Sequence, residues 1–508
     1  MHPGTRARRL LSTLGKQKVC CGARTVAQSA AIGRLILPKT NCTAFLAEEY
    51  CTARTPLAGV GHNRGGRHIL MKTVVLTQYF PPEIGAAPNR LSALVQGLAN
   101  AGHQVTVLTA MPNYPMGRYY PGYGGLIRRE NHNGSAVVRT FIYPTQSAGM
   151  IKRLLCYFSF VFSSVALGGC FLDEPDYILT ESPPLFLGIS GFLLSRWKRA
   201  RWIFNVSDLW PESAVRLGVL KPGLALRLSE SLEAFYYRRA WLVSGQSSEI
   251  VQNIKKRFPR VPTFYLPNGV DTQRFRPDCS TPETRALLGS GPGCVVLYAG
   301  LHGLAQGLEQ IIEAADQLRD DTSITFVLVG DGPVKHALVS EAEARGLKNI
   351  TFLDPVPQDQ MPALIAAADI VLVPLKTHIP GAVPSKLYEA MSSGRALVAI
   401  ASGEAADIVS RHKVGLVVAP GDTPGLTRSL LDLARNLSYR EQLGAEGRRA
   451  ATAQFDRSVS IARFIRYLEE QLSVVAPSKK AMRLQDESCT YVARNQYDQS
   501  QRSESHSA

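Results

Sequence analysis

Lys386 and Glu389 lie three residues apart in the run Val383-Pro-Ser-Lys-Leu-Tyr-Glu-Ala-Met-Ser-Ser-Gly-Arg-Ala-Leu-Val398, so a helix there carries an ammonium and a carboxylate on one face. Pro384 suits the first helical turn, and Gly394 closes the helix before the apolar strand Ala396 to Ile400. A helix start with no side-chain cap leaves backbone N–H groups that attract a diphosphate. Lys386 adds a full charge beside a dipole that is itself worth roughly 0.3–1 kcal/mol. Glu389, one turn deeper, can accept hydrogen bonds from ribose hydroxyls, and Ser385 borders the same turn. Together these groups would hold a nucleotide-sugar. The plainer reading is a sheet-packed helix whose Lys and Glu are solvated.

Such a turn needs a scaffold that delivers it to a cleft, and the surrounding pattern supplies one. Short apolar runs alternate with longer amphipathic ones, the mark of parallel sheets wrapped by helices. In the first half, strands are expected near Thr73 to Gln78, Gln104 to Thr109, Ala136 to Ile142, Asp176 to Thr180, Arg201 to Val206, Trp241 to Ser244 and Thr263 to Leu266. In the second half they fall near Cys294 to Ala299, Ile324 to Val329, Ile350 to Leu353, Ile370 to Val373, Ala396 to Ile400 and Gly415 to Val418. The expected fold is therefore α/β, with two doubly wound, Rossmann-like domains facing across a cleft. The first spans 71–266 and the second 267–455, with the break at the turn-rich Pro267-Asn-Gly-Val-Asp271. A last amphipathic helix within 456–476 has Ile461, Phe464, Ile465 and Leu468 on one stripe and should return to the first domain. Ligands of open sheets sit beyond the carboxyl ends of the strands. That places Gly300 to Gln306, Asp331-Gly332-Pro333 and the turn before Ser385 at the site. The turn after the first strand, Tyr79 to Arg90, carries no G-x-G-x-x-G, which counts against a nicotinamide or flavin domain.

The 508 residues carry a net charge of +16, but 11 Lys or Arg against two acids fall in residues 1–70. The remainder is mildly basic, which suits phosphorylated ligands or an anionic membrane surface and does not call for nucleic acid. Residues 1–70 lack a sustained period, and Met71 opens abruptly onto the first strand, so the segment is expected to be disordered or an upstream extension preceding the true start; an Arg-rich targeting peptide is the rival reading. The polar, Ser- and Gln-rich run 477–508 is expected to be disordered. Nine cysteines show no disulfide or zinc spacing, and a reducing cytoplasm is expected.

Several motifs recur in one order: Phe80-Pro-Pro-Glu-Ile-Gly85, Gly102-His-Gln-Val-Thr-Val107, Asp208-Leu-Trp-Pro-Glu212, Pro267-Asn-Gly-Val-Asp271, Gly330-Asp-Gly-Pro333 and Pro384-Ser-Lys-Leu-Tyr-Glu389. On these, from about Met71 to Leu472, the chain resembles the GT-B glycosyltransferases of family 4. Asp208 to Ser213 with Ala305-Gln-Gly-Leu308 and Val383 to Lys386 look most like the subgroup similar to a bacterial fucosaminyltransferase of O-antigen and capsule biosynthesis. The resemblance implies a hexosyltransferase-type enzyme that moves a sugar, an amino or deoxyamino sugar by subgroup likeness, from a UDP-linked donor to a glycan or lipid-linked acceptor with retained anomeric configuration and no metal or other cofactor. It places the donor on the second domain and the acceptor mostly on the first. Glu389 matches the second glutamate of the family's Glu-x7-Glu motif. The first falls at Gly381, a departure that removes a side chain commonly touching the donor sugar, and a main-chain amide at Gly381 or Ala382 is the expected substitute. The family's diphosphate-gripping basic pair is also missing, with Leu301, His302 and Gln306 in its region near Gly303, which leaves Lys386 as the compensating charge. Asp208 follows a strand and either positions substrate hydroxyls or caps the next helix. Gly85 matches a loop near the phosphates. Arg90 and Glu212 are acceptor-side candidates, the plain alternative for Arg90 being a solvated surface residue. Asp331 and Gly332 make a tight turn bordering the donor.

From Leu154 to Leu172 there are 19 residues without a charge, preceded by Lys152 and Arg153. The readings are a membrane span, a helix buried under the first sheet, or an interfacial helix over 152–172 helped by the basic run 196–201. The last suits a peripheral enzyme on the inner face of the plasma membrane. Two other functions stay open: a GT-B-fold nucleotide-sugar isomerase or epimerase, and a non-catalytic nucleotide-sugar-binding subunit.

Overall fold

The computed structural model describes residues 70–473 except 147, 148, 217, 219, 290 and 292, and the expectations for 1–69 and 477–508 lie outside the described residues. The first sheet contains β1 (Lys72–Leu76), β2 (Gln104–Ala110), β3 (Ile127–His132), β4 (Ser135–Thr140), β5 (Tyr177–Ser182), β6 (Arg201–Val206), β7 (Leu242–Gly245) and β8 (Thr263–Tyr265). Its order is β3-β4-β2-β1-β5-β6-β7-β8. Every pair is parallel except β3 with β4. The second sheet contains β9 (Cys294–Ala299), β10 (Ile324–Val329), β11 (Ile350–Leu353), β12 (Ile370–Pro374), β13 (Ala396–Ile400) and β14 (Gly415–Val418). Its order is β11-β10-β9-β12-β13-β14, parallel throughout.

Central strands covered on both faces need apolar residues at every position. β9 (CVVLYA) and β13 (ALVAI) are accordingly buried along their whole length. Side chains of β9 alternate between two cores: Val295, Leu297 and Ala299 face one, Val296 and Tyr298 the other. Strand ends differ from the periodicity reading by one or two residues, as at Ala136 to Ile142, where β4 runs Ser135–Thr140. β3 was not expected from its sequence. IRRENH has no apolar run because it is a half-exposed edge strand, and the hairpin signal was the Asn133-Gly134 turn joining it to β4.

The chain passes between the sheets twice, and the two crossings are tied together: the Val270 amide donates to Phe455 O (2.9 Å) and the Arg457 amide to Val270 O (2.9 Å). Beyond the second crossing, the helix 457–473 lays Ile461, Phe464, Ile465 and Leu468 into the core built by Met71, Val75 and Leu94. In both sheets the strand order reverses beside the first strand, between β1 and β5 and between β9 and β12. At such a point neighbouring loops diverge and leave a crevice over the strand ends.

Candidate functional site

The helix Ser385–Ser392 opens on the loop after β12, beside the second sheet's switch point. Pro384 stands before it with extended backbone and no side-chain cap, so the helix begins at Ser385, one residue later than proline at a first turn would give. The Ser385 and Lys386 amides precede any intrahelical acceptor. Lys386 reaches back across the switch point to the loop after β9. A Cβ on Gly300 would stand 2.1 Å from Lys386 Cε and 2.5 Å from its Nζ, and Gly300 has φ +155, so glycine here makes room for the lysine. The ammonium lies 5.9 Å from the Tyr298 ring centroid, and no ion pair or hydrogen bond of its side chain occurs among the described residues. Lys386 is thus an unspent charge over an uncapped helix start.

The neighbouring loops are knitted by their backbones. The His302 amide donates to Asp331 O (2.9 Å), and His302 O accepts from the Val334 amide (3.1 Å). The His302 ring is fully buried between Tyr298 and Phe352, and neither ring nitrogen has a partner. Burial, and then Lys335, push its pKa down to about 4, with Asp331 acting the other way. Gln306 folds its side-chain oxygen over Gly303, where it too has no donor. Asp331 is exposed and accepts from the Gly332 amide (2.8 Å), closing its own turn.

One expectation fails at Gly381. Its amide donates to Glu249 of the first domain (2.9 Å), and the Ala382 amide donates to Ile379 O (3.0 Å), so neither is free for a donor sugar. Gly381 has φ +76, and a Cβ there would meet Ile250 at 2.4 Å, because the helix Ser248–Arg257 packs onto this loop. The same helix is capped from across the cleft: Glu404 accepts from the amides of Ser248 (2.9 Å) and Glu249 (2.7 Å). His378 lies 3.5 Å from Glu249. The loop leading to Lys386 is therefore clasped between the two domains.

On the first domain, Arg90 is buried rather than solvated. It pairs with Glu181 at 2.5 Å and bonds Ser207 Oγ at 3.1 Å, and the Gln246 carboxamide oxygen turns toward the guanidinium. Asn205 also donates to Glu181, at 2.6 Å. Arg90 is fixed under the cleft floor instead of reaching an acceptor. Asp208, half-buried just after β6, has its pKa raised by burial and by Glu181, with Arg90 opposing. Its carboxylate caps no amide of the following helix Glu212–Arg216, which removes the capping alternative. Glu212 faces Arg216 at 3.7 Å on that short helix. Gly85 precedes the helix Ala86–Asn100 in extended conformation, with only Pro88 near its missing Cβ, so sterics there do not demand glycine. The loop before it is set by buried Glu83, which accepts from the amides of Phe80 (3.1 Å), Asn113 (2.8 Å) and Tyr114 (2.8 Å).

A cavity of about 1070 Å³ opens between the domains, with Asn89 and Gln96 on one wall, Arg274 and Glu389 on the other, and Arg457 and Ile461 at the second crossing. It reaches the site through Glu389, while Lys386, Gly300 and Asp208 stand outside its walls. Arg457 was missed by sequence reasoning. Its Nε donates to Asn268 O (2.9 Å) and Nη2 to Gly269 O (3.1 Å), and burial lowers its pKa while the carboxylates of Glu389 and Asp271 partly offset that. Only the bridged crossings bring residue 457 beside residue 389. Glu249, Glu404 and the Glu181 network likewise lay in no motif.

Two facing Rossmann-like domains with loops converging on one cleft define the GT-B class. Residues 85–269 match the glycosyl transferase 4-like domain, and residues 286–450 match the glycosyl transferases group 1. A putative colanic acid biosynthesis glycosyl transferase, WcaI of Escherichia coli, is 31% identical over 333 residues, covering 64% of this chain and 82% of the relative. A GDP-mannose-dependent phosphatidylinositol monomannoside mannosyltransferase of Mycobacterium tuberculosis is 32% identical, with 39% and 53% covered. HepE from Anabaena, solved with UDP and glucose, superposes at TM-score 0.59 and 20% identity, covering 79% of this chain and all of that one. The chain belongs to the group 1, family 4 glycosyltransferases.

Proposed function

We propose that the chain transfers a sugar from a nucleoside diphosphate, UDP by preference, to a glycan or lipid-linked acceptor of a cell-surface polysaccharide, with retention at the anomeric carbon. Lys386 over the uncapped start of Ser385–Ser392 is the observation that carries this reading. As the sugar–phosphate bond breaks, charge gathers on the diphosphate, and fixed amides with one ammonium stabilise that charge more in the transition state than before it. Glu389 is assigned to the ribose, and Asp208 to a substrate hydroxyl from the opposite domain. The clasp of Glu249 and Glu404 holds the domains together and limits water at the cleft. The colanic acid relative supports the polysaccharide setting, the UDP complex of HepE supports the nucleotide, and the subgroup likeness supports an amino or deoxyamino sugar.

The acceptor reading draws on a second observation. On the helix Met150–Ala166, Ile151, Leu155, Phe158 and Phe162 form one exposed stripe, and Leu193 and Trp197 are also exposed on the helix Leu187–Trp197. The other side of the first helix is packed, with Phe160 buried and Ser164 bonded to Ser190 at 2.9 Å. An apolar strip flanked by exposed Lys152, Arg153 and Arg196 suits a peripheral contact with an anionic bilayer on the inner face of the plasma membrane, where lipid-linked acceptors reside.

The test is incubation of the full chain with labelled UDP- and GDP-sugars and a bacterial lipid extract. Labelled lipid with unchanged anomeric configuration by NMR supports the proposal. Free epimerised sugar nucleotide identifies an isomerase instead, and binding without turnover of any donor identifies a binding subunit.

A further inference from the structure

Three aromatic side chains stand side by side at the carboxyl-end rim of the first sheet, where ligands of open sheets bind. Phe186 comes just after β5, before the helix Leu187–Trp197, and Trp210 comes just after the neighbouring β6. Phe158 meets them from the helix Met150–Ala166. The Phe158 and Phe186 ring centroids are 4.9 Å apart, and those of Phe186 and Trp210 are 6.5 Å apart. Tyr157 flanks the row, 6.1 Å from Phe186. Phe158 is exposed, and Phe186 and Trp210 are half-buried, so the row keeps a face toward solvent.

The two ends of the row give it a direction. At one end Phe158 belongs to the exposed apolar stripe of its helix, with Ile151, Leu155 and Phe162. At the other end Trp210 belongs to the turn of Asp208, whose carbonyl oxygen accepts from the Trp210 amide at 2.8 Å. The row therefore joins the apolar stripe to the loop that carries Asp208. Positive charge accompanies it: Arg153 stands one helical turn before Tyr157, on the same side of the helix. Lys152 and Arg153 are exposed, and neither side chain has a carboxylate partner among the described residues.

We propose that this row seats the hydrocarbon chain of a lipid-linked acceptor, in the stretch next to its phosphate, an inference that rests on the acceptor reading above. A chain anchored in a bilayer has to leave it for several carbon units before its headgroup reaches the loop of Asp208, and every unit bared to water is unfavourable. Adjoining aromatic faces cover that stretch with apolar contact and need no deep pocket to do so. The unpaired ammonium and guanidinium of Lys152 and Arg153 complement the phosphate that ends the chain. A single sugar would use one ring face, and it would not call for a row that starts on the apolar stripe.

Calorimetric titration of farnesyl phosphate, kept monomeric and free of vesicles, into the full chain tests the seat, with inorganic phosphate as the control that has no tail. Wild type is expected to bind farnesyl phosphate about tenfold or more tighter than inorganic phosphate, because only the former buries a hydrocarbon chain. Phe158→Ala with Phe186→Ala should remove about tenfold of the farnesyl phosphate association constant. Unchanged UDP affinity certifies that this variant is folded. Phe158→Leu with Phe186→Leu keeps the apolar surface and should bind nearly as wild type does. With a bacterial lipid extract and labelled UDP-sugar, the alanine pair should also label lipid more slowly than wild type. Farnesyl phosphate bound no better than inorganic phosphate, or an undiminished constant in the alanine pair, overturns the proposal. If wild type labels no lipid while the alanine pair still loses farnesyl phosphate, the acceptor reading fails and the apolar seat stands.

Discussion

Under the proposed reading of the loops around Lys386 as the donor site, charge compensation falls to that one side chain, because Leu301, His302 and Gln306 put no cation over the loop after β9. Lys386→Ala should therefore lower kcat by about 10²-fold or more, roughly 3 kcal/mol of transition-state stabilisation, with a smaller change in KM. Steady-state kinetics on the variant measure this, and wild-type turnover would remove the lysine from the chemistry. Glu389 acts on a different quantity. If its carboxylate receives the ribose hydroxyls, Glu389→Gln loses a charged acceptor worth roughly 1.5–3 kcal/mol and weakens UDP binding about tenfold or more. Unchanged UDP affinity by calorimetry would remove Glu389 from the nucleotide site. The Lys386–Glu389 spacing could be read directly from the chain, since three residues on a helix fix a shared face. Gly300 could not, because the need for glycine there arises from a lysine 86 positions away folding over it.

Among the elements, parallel strands announce themselves. Central strands, buried on both faces, must be largely apolar, and β6, β9, β10 and β13 coincide with the runs read from sequence, as do the partly exposed edge strands β11 and β14. β3 could not be found that way, since an exposed edge strand carries charges. Nor could the Arg90–Glu181 pair, whose partners are 91 residues apart and meet because β1, which leads into the helix carrying Arg90, lies beside β5. The loops after β9 and β10 make a prediction of their own through His302. Its folded pKa of about 4 lies below the usual 6.5, so the unfolded chain binds the proton first as pH falls. Stability from this group is fully present above pH 6.5 and declines as pH falls toward 4, by up to roughly 3 kcal/mol at 1.36 kcal/mol per pKa unit. His302→Leu should flatten urea-denaturation stability between pH 7 and pH 4.5 relative to wild type. An equal slope in both proteins would mean the ring takes up its proton without cost.

For the whole molecule, the acceptor's chemistry and the surface of the first domain make a joint demand. A lipid-linked acceptor confines the reaction to a bilayer, so an enzyme that touches it gains local concentration only by resting there. Ile151 and Phe162 are 76% and 74% exposed, and neither contributes to the packed side of its helix, so charging them leaves the fold's core intact. Burying each large apolar side chain in the interface is worth about 1.5–3 kcal/mol, to which the nearby lysine and arginine residues add electrostatic attraction for anionic headgroups. Ile151→Glu with Phe162→Glu should therefore abolish co-sedimentation with vesicles containing anionic phospholipid. The pair should also lower transfer to a lipid-linked acceptor, while hydrolysis of the sugar nucleotide and UDP affinity stay at wild-type values, because the donor loops belong to the other sheet. Unchanged vesicle binding in the double variant would assign the apolar stripe to a protein partner. Raising the salt concentration separates the two forces: the electrostatic part fades as the screening length falls from about 10 Å at 0.1 M to about 3 Å at 1 M, while the apolar part persists.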